Sequence, residues 1–173
     1  KTAYIGTLGF KYQDIDIETD NTTPNILTIY NILLELVEKK CQTVVMEISS
    51  HALSYERIFG LHLDVAAFTN LTEDHLDYHK TMENYLNAKL KIIDYLLPDG
   101  NLIVNGDDEA SQKFIDKFHK GLTLGFNNAF DYCIKDTEIT PAETKIKFVY
   151  NNKEHEVTTN LTSKFNVYNY MTV

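Results

Sequence analysis

Arginine is almost absent from this 173-residue chain, in which Arg57 is the only one. Asp and Glu number 25 against 16 for Lys and Arg, and the formal net charge is −9. A general nucleic-acid-binding surface needs clustered Lys and Arg to neutralise phosphates, so this composition argues against nucleic acid as a partner. An anionic small molecule can still bind through helix N-termini, backbone amides or a divalent cation.

Cysteines and long apolar runs are scarce as well. The two cysteines, Cys41 and Cys133, suggest no disulfide framework, which fits a reducing cytosol. No apolar run approaches the roughly 20 residues that span a bilayer, and no signal peptide opens the chain. We therefore expect a cytoplasmic globular protein without a membrane partner.

Apolar segments alternate with helical patterns through residues 1–126. We predict buried strands over residues 4–10, 43–48, 63–70 and in NLIVNGDD, and helices over residues 26–37, 82–97 and 109–118. The segment DIDIETDNTTP is predicted to be a polar loop. Strands that are apolar throughout and alternate with helices indicate an α/β fold, with a mostly parallel sheet flanked by helices.

The pattern changes near Asn127. Residues 127–162 are rich in Thr, Val, Ile, Tyr and Phe, alternate in polarity, and contain YNNKE as a hairpin turn. We therefore expect three parts: a parallel α/β part over 1–126, a small antiparallel β subdomain over 127–162, and the start of a returning helix over 163–173.

Polar side chains follow the predicted parallel strands, and open parallel sheets bind ligands at the carboxyl ends of their strands. Glu47 lies in the apolar string VVMEISS, where a carboxylate is costly to bury unless a cation pairs with it. We favour a Mg²⁺ ligand over a solvated strand tip for Glu47. His75 follows another strand, so the two side chains can converge on one cleft.

Residue chemistry alone leaves other candidates open. His75 and His79 are four residues apart, but the zinc motif H-E-x-x-H needs Glu where this chain has Leu76, so a solvated loop is the alternative. His51 is a candidate base on weak evidence, because a triad is assembled in space. Lys89 lies on the apolar face of its helix, either as a snorkelling side chain or as a desolvated, reactive amine.

Four strings, MEISSHAL, FTNLTEDHLDYHKTMENYLNAK, VNGDD and FNVYN, together resemble the central domain of the Mur ligases, and among these the UDP-N-acetylmuramoyl-tripeptide synthetases. The resemblance covers nearly the whole chain and implies a P-loop-NTPase-like fold. It also implies a reaction in peptidoglycan precursor synthesis. ATP would phosphorylate UDP-N-acetylmuramoyl-L-alanyl-D-glutamate, and the amine of L-lysine or meso-diaminopimelate would attack the acyl phosphate, with Mg²⁺ neutralising charge.

The same resemblance implies roles for individual residues. Glu47 and His75 are similar to the protein ligands of Mg²⁺. Lys89 is similar to a lysine that becomes carbamylated, which makes it a catalytic candidate and a third metal position. The residues similar to those that hold the muramoyl dipeptide are Thr22, Thr23, Ser49 and Arg57, and those similar to residues near the adenine of ATP are Asn166 and Asn169. His79 belongs to the motif without an assigned role.

The chain also departs from the family pattern. The phosphate loop Gly-x-x-Gly-Lys-Thr is missing, and Lys1-Thr2 is not its end, because a strand follows directly where a phosphate loop must open a helix. The resemblance places that loop, the uridine-binding domain and the amino-acid-selecting domain outside this chain. We therefore expect residues 1–173 alone to lack ligase activity, to bind ATP weakly and to expose strand edges or apolar faces.

Other functions compete with the ligase. A metal-dependent hydrolase using Glu47, His75 and His79 would need metal but no nucleotide. A folylpolyglutamate-synthase-like ligase would share the fold and mechanism, although the quoted strings look less similar to it. A non-catalytic nucleotide-binding module would be indifferent to Lys89→Ala.

Overall fold

The computed structural model describes all residues, 1–173, as a mixed α/β protein. The strands are β1 (Thr2–Gly6), β2 (Gly9–Tyr12), β3 (Ile15–Ile17), β4 (Thr43–Met46), β5 (Leu63–Phe68), β6 (Leu96–Asn105), β7 (Gly121–Gly125), β8 (Tyr132–Ile139), β9 (Thr144–Tyr150) and β10 (Lys153–Thr159). The helices are α1 (Ile26–Glu38), α2 (Ser50–Ser54), α3 (Leu76–His79), α4 (Met82–Leu90), α5 (Ser111–Lys117) and α6 (Lys164–Thr172), with a 3-10 turn at Lys91–Tyr95.

The chain divides into two compact units, each with its own sheet. Unit 1 comprises Lys1–Leu61 and Asp77–Lys91, and unit 2 comprises His62–Leu76 and Ile92–Val173. None of the helices has the length and apolar character needed to cross a bilayer.

Unit 1 contains a four-stranded sheet in the order β3-β2-β1-β4, in which β1 and β4 are parallel and the other pairs antiparallel. Its core consists of Ala3, Ile5, Phe10, Tyr12, Ile32 and Leu36, so the sheet packs against α1. Burying such side chains stabilises a fold by roughly 1.5–3 kcal/mol each for the larger ones. This core holds the N-terminal sheet on the helix that follows the NTTP string.

The prediction of one buried strand over residues 4–10 is wrong, because the chain reverses within it. β1 and β2 form a tight hairpin, with Gly6 paired to Gly9. Gly9 has φ +86°, and a Cβ on it would lie 2.3 Å from the carbonyl oxygen of Ile17, so only glycine fits there. The predicted polar loop after it also contains β3, which pairs with β2.

The predicted helix over 26–37 is confirmed as α1, and Asn25 caps it by accepting a hydrogen bond from the Thr28 amide at 3.0 Å. Its apolar residues surround the helix rather than forming one stripe. Ile29, Ile32 and Leu36 are buried, whereas Leu34 and Val37 are 63% and 74% exposed. The chain thus exposes an apolar helix face, as expected from the sequence.

Unit 2 contains a six-stranded sheet in the order β10-β9-β8-β7-β6-β5. Strands β5 to β8 are parallel to their neighbours, and β8, β9 and β10 are antiparallel. The predicted α/β class with a parallel-rich sheet is confirmed, and the antiparallel strands extend that sheet. The YNNKE hairpin is confirmed too, since Asn151 and Asn152 have φ values of 50° and 59°. The boundaries at 126 and 162 stay predictions.

The predicted helix over 82–97 is too long. α4 ends at Leu90, a 3-10 turn follows, and β6 begins at Leu96, which pairs with Leu63 of β5. A Cβ on Gly100 would lie 3.0 Å from the carbonyl oxygens of Asp64 and Leu97, a close backbone approach that keeps this part of β6 against β5. Pairing with a distant strand therefore overrides the local helical pattern.

Candidate functional site

The carboxylate of Glu47 is the centre of a hydrogen-bonded group at the end of β4. Its Oε1 accepts a bond from the Tyr4 hydroxyl at 2.5 Å. Its Oε2 accepts from the Thr7 hydroxyl at 2.7 Å and from the Thr7 amide at 3.3 Å. The Glu47 side chain is exposed and is held in place by the β1 hairpin. β4 is a half-exposed edge strand of its sheet, with Val45 46% exposed, and not the buried strand predicted.

These hydrogen bonds set the charge of Glu47. Burial alone would raise its pKa, but the bonds from Tyr4 and Thr7 favour the ionised form more strongly, and the pKa of Glu47 is lowered. The same environment, with burial first and the hydrogen bond to Glu47 second, raises the pKa of Tyr4. The pair is therefore a neutral phenol beside a carboxylate, and an ionised carboxylate is a ligand type that Mg²⁺ prefers.

The side chain of Thr23 forms hydrogen bonds to the backbone on both sides of Ile48. The Thr23 hydroxyl is fully buried, donates to the Glu47 carbonyl at 2.9 Å and accepts from the Ser49 amide at 3.0 Å. Ser49 caps α2 by accepting from the Ala52 amide at 3.2 Å. Arg57 donates from Nη1 to the Thr23 carbonyl at 2.8 Å. Three of the predicted dipeptide-binding residues, Thr23, Ser49 and Arg57, thus form one connected group.

Thr22 differs from Thr23 in exposure. Its hydroxyl lies 3.2 Å from the Thr7 hydroxyl, and its side chain is half-buried. Because Thr7 also bonds to Glu47, the partly exposed Thr22 belongs to the same hydrogen-bonded group as Glu47. Of the two threonines, only Thr22 can offer its side chain to a ligand without breaking a buried hydrogen bond.

Lys89 lies on α4 beside a row of rings. Its Nζ is 5.1 Å from the centre of the Tyr85 ring, one helical turn earlier. The other neighbour of Tyr85 is His79, stacked at 4.9 Å with an interplanar angle of 19°. His79 is buried, and its Nε2 is 2.9 Å from the Ser50 hydroxyl. The rings thus connect Lys89 to the first turn of α2.

His75 belongs to unit 2, whereas Glu47 and Lys89 belong to unit 1. The His75 ring is exposed and its Nε2 lies 3.6 Å from Asp74. The His75 backbone has φ 55°, and its amide donates to the Asp74 side chain at 2.7 Å. The convergence of Glu47 with His75 stays a prediction.

Two of the three predicted metal ligands are oxygen donors, which suit a hard cation, and the third is a softer nitrogen donor. Glu47 offers carboxylate oxygens, His75 a ring nitrogen, and Lys89 would offer oxygens only as a carbamate. No three His, Cys, Asp or Glu side chains are grouped so that they could hold a metal ion. This finding gives no support to the hydrolase built on Glu47, His75 and His79, and Nε2 of His79 already lies 2.9 Å from the Ser50 hydroxyl.

The NGDD string ends β6 in unit 2 and organises loops. The Asp108 carboxylate accepts from the Leu71 amide at 2.8 Å and from the Ala110 amide at 2.9 Å. The Asp107 carboxylate accepts from the Phe126 amide at 2.8 Å and from the Tyr168 hydroxyl at 3.1 Å. Both carboxylates thus have backbone donors of their own.

The two predicted adenine-side residues lie on α6. Asn166 donates to the Thr162 carbonyl at 3.2 Å, and Asn169 donates to the Asn166 side chain at 3.3 Å. Tyr168 lies between them in sequence and ties α6 to Asp107. Burial, together with the hydrogen bond to Asp107 and its negative charge, raises the pKa of Tyr168 to about 12.

Sequence reasoning missed three residues of the unit 1 site. These residues are Tyr4, which contacts Glu47, Tyr85, which contacts Lys89, and Ser50, which contacts His79. No local signal identifies these residues, because Tyr4 is 43 residues from Glu47 and Ser50 is 29 residues from His79.

Comparisons with known proteins agree with the strings quoted above. The family model of the Mur ligase middle domain matches residues 1–173. A UDP-N-acetylmuramoyl-L-alanyl-D-glutamate–2,6-diaminopimelate ligase of Bacillus licheniformis is 39% identical over 180 residues, covering 99% of this chain and 37% of that protein. A ligase of the same name from Bacillus cereus is 39% identical over 176 residues, covering 98% of this chain and 36% of that protein.

A solved structure of a ligase with that name is also similar in fold. It matches with a TM-score of 0.87 at 28% identity, covering 99% of this chain and 36% of the other. The chain therefore spans little more than a third of the length of these relatives.

Proposed function

The chain belongs to the Mur ligase family, as its middle domain, and on this premise we propose that the intact protein is an ATP-dependent ligase that joins 2,6-diaminopimelate to UDP-N-acetylmuramoyl-L-alanyl-D-glutamate. The observation that carries this proposal is the 39% identity, over 99% of the chain, to a ligase of that name. The product is a peptidoglycan precursor. ATP and a nucleotide-linked precursor are cytoplasmic metabolites, so the proposed place of action is the cytoplasm.

Glu47, His75 and a carbamylated Lys89 are the proposed protein ligands of Mg²⁺. The ion, when bound, supplies charge neutralisation between the phosphates of ATP and the carboxylate being activated. The lowered pKa of Glu47 supports its role, because the carboxylate stays ionised at neutral pH. Lys89 can take part only after its amine has reacted with CO₂, since an ammonium group has donors and no acceptor.

The proposed dipeptide site consists of the solvent-accessible side chains around residues 47–50. Arg57 is the only arginine of the chain, and its bond to the Thr23 carbonyl leaves further N–H donors for an anionic group. Thr22 and Ser49 add hydroxyl groups beside it. Asn166 and Asn169 are proposed to lie near the adenine of ATP, as amide groups that can both donate and accept hydrogen bonds.

The proposal also specifies the amino acid that the ligase adds to the precursor. The residue patterns leave L-lysine and meso-diaminopimelate as alternatives, and the names of the relatives favour diaminopimelate. A folylpolyglutamate-synthase-like reaction and the metal-dependent hydrolase receive no such support.

The test is phosphate release by the intact protein. We expect release from ATP and Mg²⁺ only when UDP-N-acetylmuramoyl-L-alanyl-D-glutamate and diaminopimelate are both present, with one amide product formed per phosphate. L-lysine replaces diaminopimelate in a parallel reaction. Release that needs neither the precursor nor an amino acid would contradict the ligase, and faster turnover with L-lysine would contradict only the choice of amino acid.

A further inference from the structure

Buried polar side chains in unit 1 gather around a single segment. They are Thr23, Ser50 and His79. Thr23 bonds to the backbone of Glu47 and Ser49, while His79 bonds to Ser50. Burying a polar group is costly without a partner, so a cluster of satisfied ones fixes the surrounding backbone in a single arrangement. The fixed segment is residues 47–50, which begins with the candidate metal ligand Glu47.

His79 has a second connection, on the side of α4. Its ring stacks on the ring of Tyr85 at 4.9 Å. Nζ of Lys89 in turn lies 5.1 Å from the centre of the Tyr85 ring. The edge of Tyr78 packs on His79 at 4.8 Å, and His51 lies 5.4 Å away. Asn84 also donates to the His79 carbonyl at 3.0 Å, which ties the turn before α4 to α4 itself. The imidazole is thus buried among ring contacts on α2, α3 and α4.

We propose that His79 is a positioning residue of the reaction, whose imidazole holds the helix of Lys89 in register with the segment of Glu47. The proposal rests on the function proposed above. Lys89 and Glu47 lie on separate elements, and two ligands of one ion must keep their spacing within a few tenths of an ångström. His79 meets this need because one face of its ring packs on Tyr85 while its nitrogen reaches Ser50.

Only an imidazole combines both contacts at this position. Phe would keep the stack on Tyr85 and lose the hydrogen bond to Ser50. Asn would keep a hydrogen-bonding group and lose the stack. Ser50→Ala removes the same hydrogen bond from the other partner, and the small change at a helix start leaves the backbone intact. These variants therefore separate the bond from the packing.

The experiment measures kcat, KM and the Mg²⁺ requirement of the intact ligase for His79→Phe, Ser50→Ala and the double variant. Loss of a group that orients a metal ligand typically costs about 10–100-fold in activity or metal affinity. We expect that loss in kcat for each single variant, with KM for the muramoyl dipeptide changed less than about threefold. The double variant should be no worse than the poorer single variant, because one bond is lost in all three. His119→Phe, an exposed histidine of unit 2, is the matched control.

A second readout does not depend on turnover. After incubation with ¹³C-bicarbonate, the carbamate of Lys89 should give a ¹³C NMR signal in the wild type that weakens or shifts in His79→Phe and Ser50→Ala. An unchanged signal together with unchanged kcat in either variant would overturn the role of His79. If His79→Phe does not fold, Ser50→Ala decides alone, and wild-type kcat in that variant overturns the proposal.

The two proposals fail in different ways. A wild-type protein that shows the carbamate signal, weakened by His79→Phe, but forms no amide would remove the ligase function and keep the positioning role. A wild-type protein that forms the amide, with both variants equally active, would do the reverse. If the two single-variant losses of kcat multiply in the double variant, His79 and Ser50 do not act through one shared hydrogen bond, and the proposal is wrong.

Discussion

Residues 47–50 and residues 105–108 both follow a strand with a parallel neighbour and both carry carboxylates, yet they hold them differently. Glu47 receives its bonds mainly from the side chains of Tyr4 and Thr7 and remains exposed. Asp108 receives backbone amides from Leu71 and Ala110, one on each oxygen. Hydroxyl donors can rotate to another partner when a cation arrives, whereas backbone amides cannot leave without breaking a loop.

This difference indicates which carboxylates are able to bind a metal ion and which ones hold loops together. Both segments show the same sequence signal, an acidic residue where an apolar strand ends. The main donor type differs: hydroxyl groups provide the two shorter bonds to Glu47, with the Thr7 amide as a third donor, whereas backbone amides provide both bonds to Asp108. Asp107 accepts from one backbone amide and from the Tyr168 hydroxyl. Substitutions in the first segment should therefore change activity, and substitutions in the second should change stability.

The largest expected effect belongs to Lys89. In the intact protein, Lys89→Ala should lower kcat by about 100-fold or more, because a metal position worth several kcal/mol is lost. Activity should return in part when acetate or another small carboxylate is added at high concentration. Lys113→Ala, an exposed lysine of α5, is the control and should keep wild-type kcat. Full activity of Lys89→Ala would show that Lys89 is neither a metal ligand nor a catalytic residue of the ligase.

Glu47→Gln gives the next largest effect and tests the open segment directly. Gln keeps the shape but carries no charge, and its single carbonyl oxygen can replace only one of the two oxygens that accept from Tyr4 and Thr7, so we expect kcat to fall about 10–100-fold and the Mg²⁺ requirement to rise. Glu47→Gln should be less stable than the wild type near pH 7, because the hydrogen bonds from Tyr4 and Thr7 stabilise the ionised carboxylate. Because folding lowers the pKa of Glu47, the wild type should lose stability relative to Glu47→Gln as pH falls through that pKa. A wild-type kcat in Glu47→Gln would remove this residue from the site.

Asp108→Ala tests the scaffold segment. It leaves the amides of Leu71 and Ala110 without their partner, so the free energy of unfolding of the intact protein should fall by about 1–3 kcal/mol. We expect kcat at a temperature well below the transition to stay within about threefold of the wild type. Denaturant unfolding and steady-state kinetics measure the two quantities. If Asp108→Ala instead lost most of its kcat with unchanged stability, Asp108 would act in the reaction, as proposed for Glu47, and the contrast between the two segments would be wrong.

The smallest expected effect concerns Tyr168 at high pH. Because its pKa is raised to about 12 in the folded protein, the neutral phenol stabilises the fold fully below the ordinary pKa near 10. That contribution is lost as pH rises from 10 through 12, because the unfolded chain ionises first. Tyr168→Phe should therefore remove part of the fall in stability over this interval. Parallel curves for both proteins between pH 9 and 12 would show that the bond to Asp107 does not matter.

Local signals predicted several elements correctly. Pro24 marks the start of α1, where the structure adds the Asn25 cap, and the paired asparagines at 151 and 152 mark the hairpin of β9 and β10. Both features are decided within a few residues. The end of α4 was wrong because apolar residues continue its pattern to Leu97, while β6 pairs with β5 from Leu96 onwards. Helical periodicity cannot report a strand partner 33 residues away.

The amino-acid sequence by itself determined the class of fold, the family and the acidic and basic residues worth testing, because these depend on residue types in short strings. Only the tertiary structure decided which hydroxyls hold Glu47, that Thr23 is buried while Thr22 is not, and that His79 joins Ser50 to Tyr85. The physical reason is distance along the chain. Hydrogen bonds and ring stacking act over about 3 to 5 Å, and folding brings together partners that the sequence keeps as far as 61 residues apart.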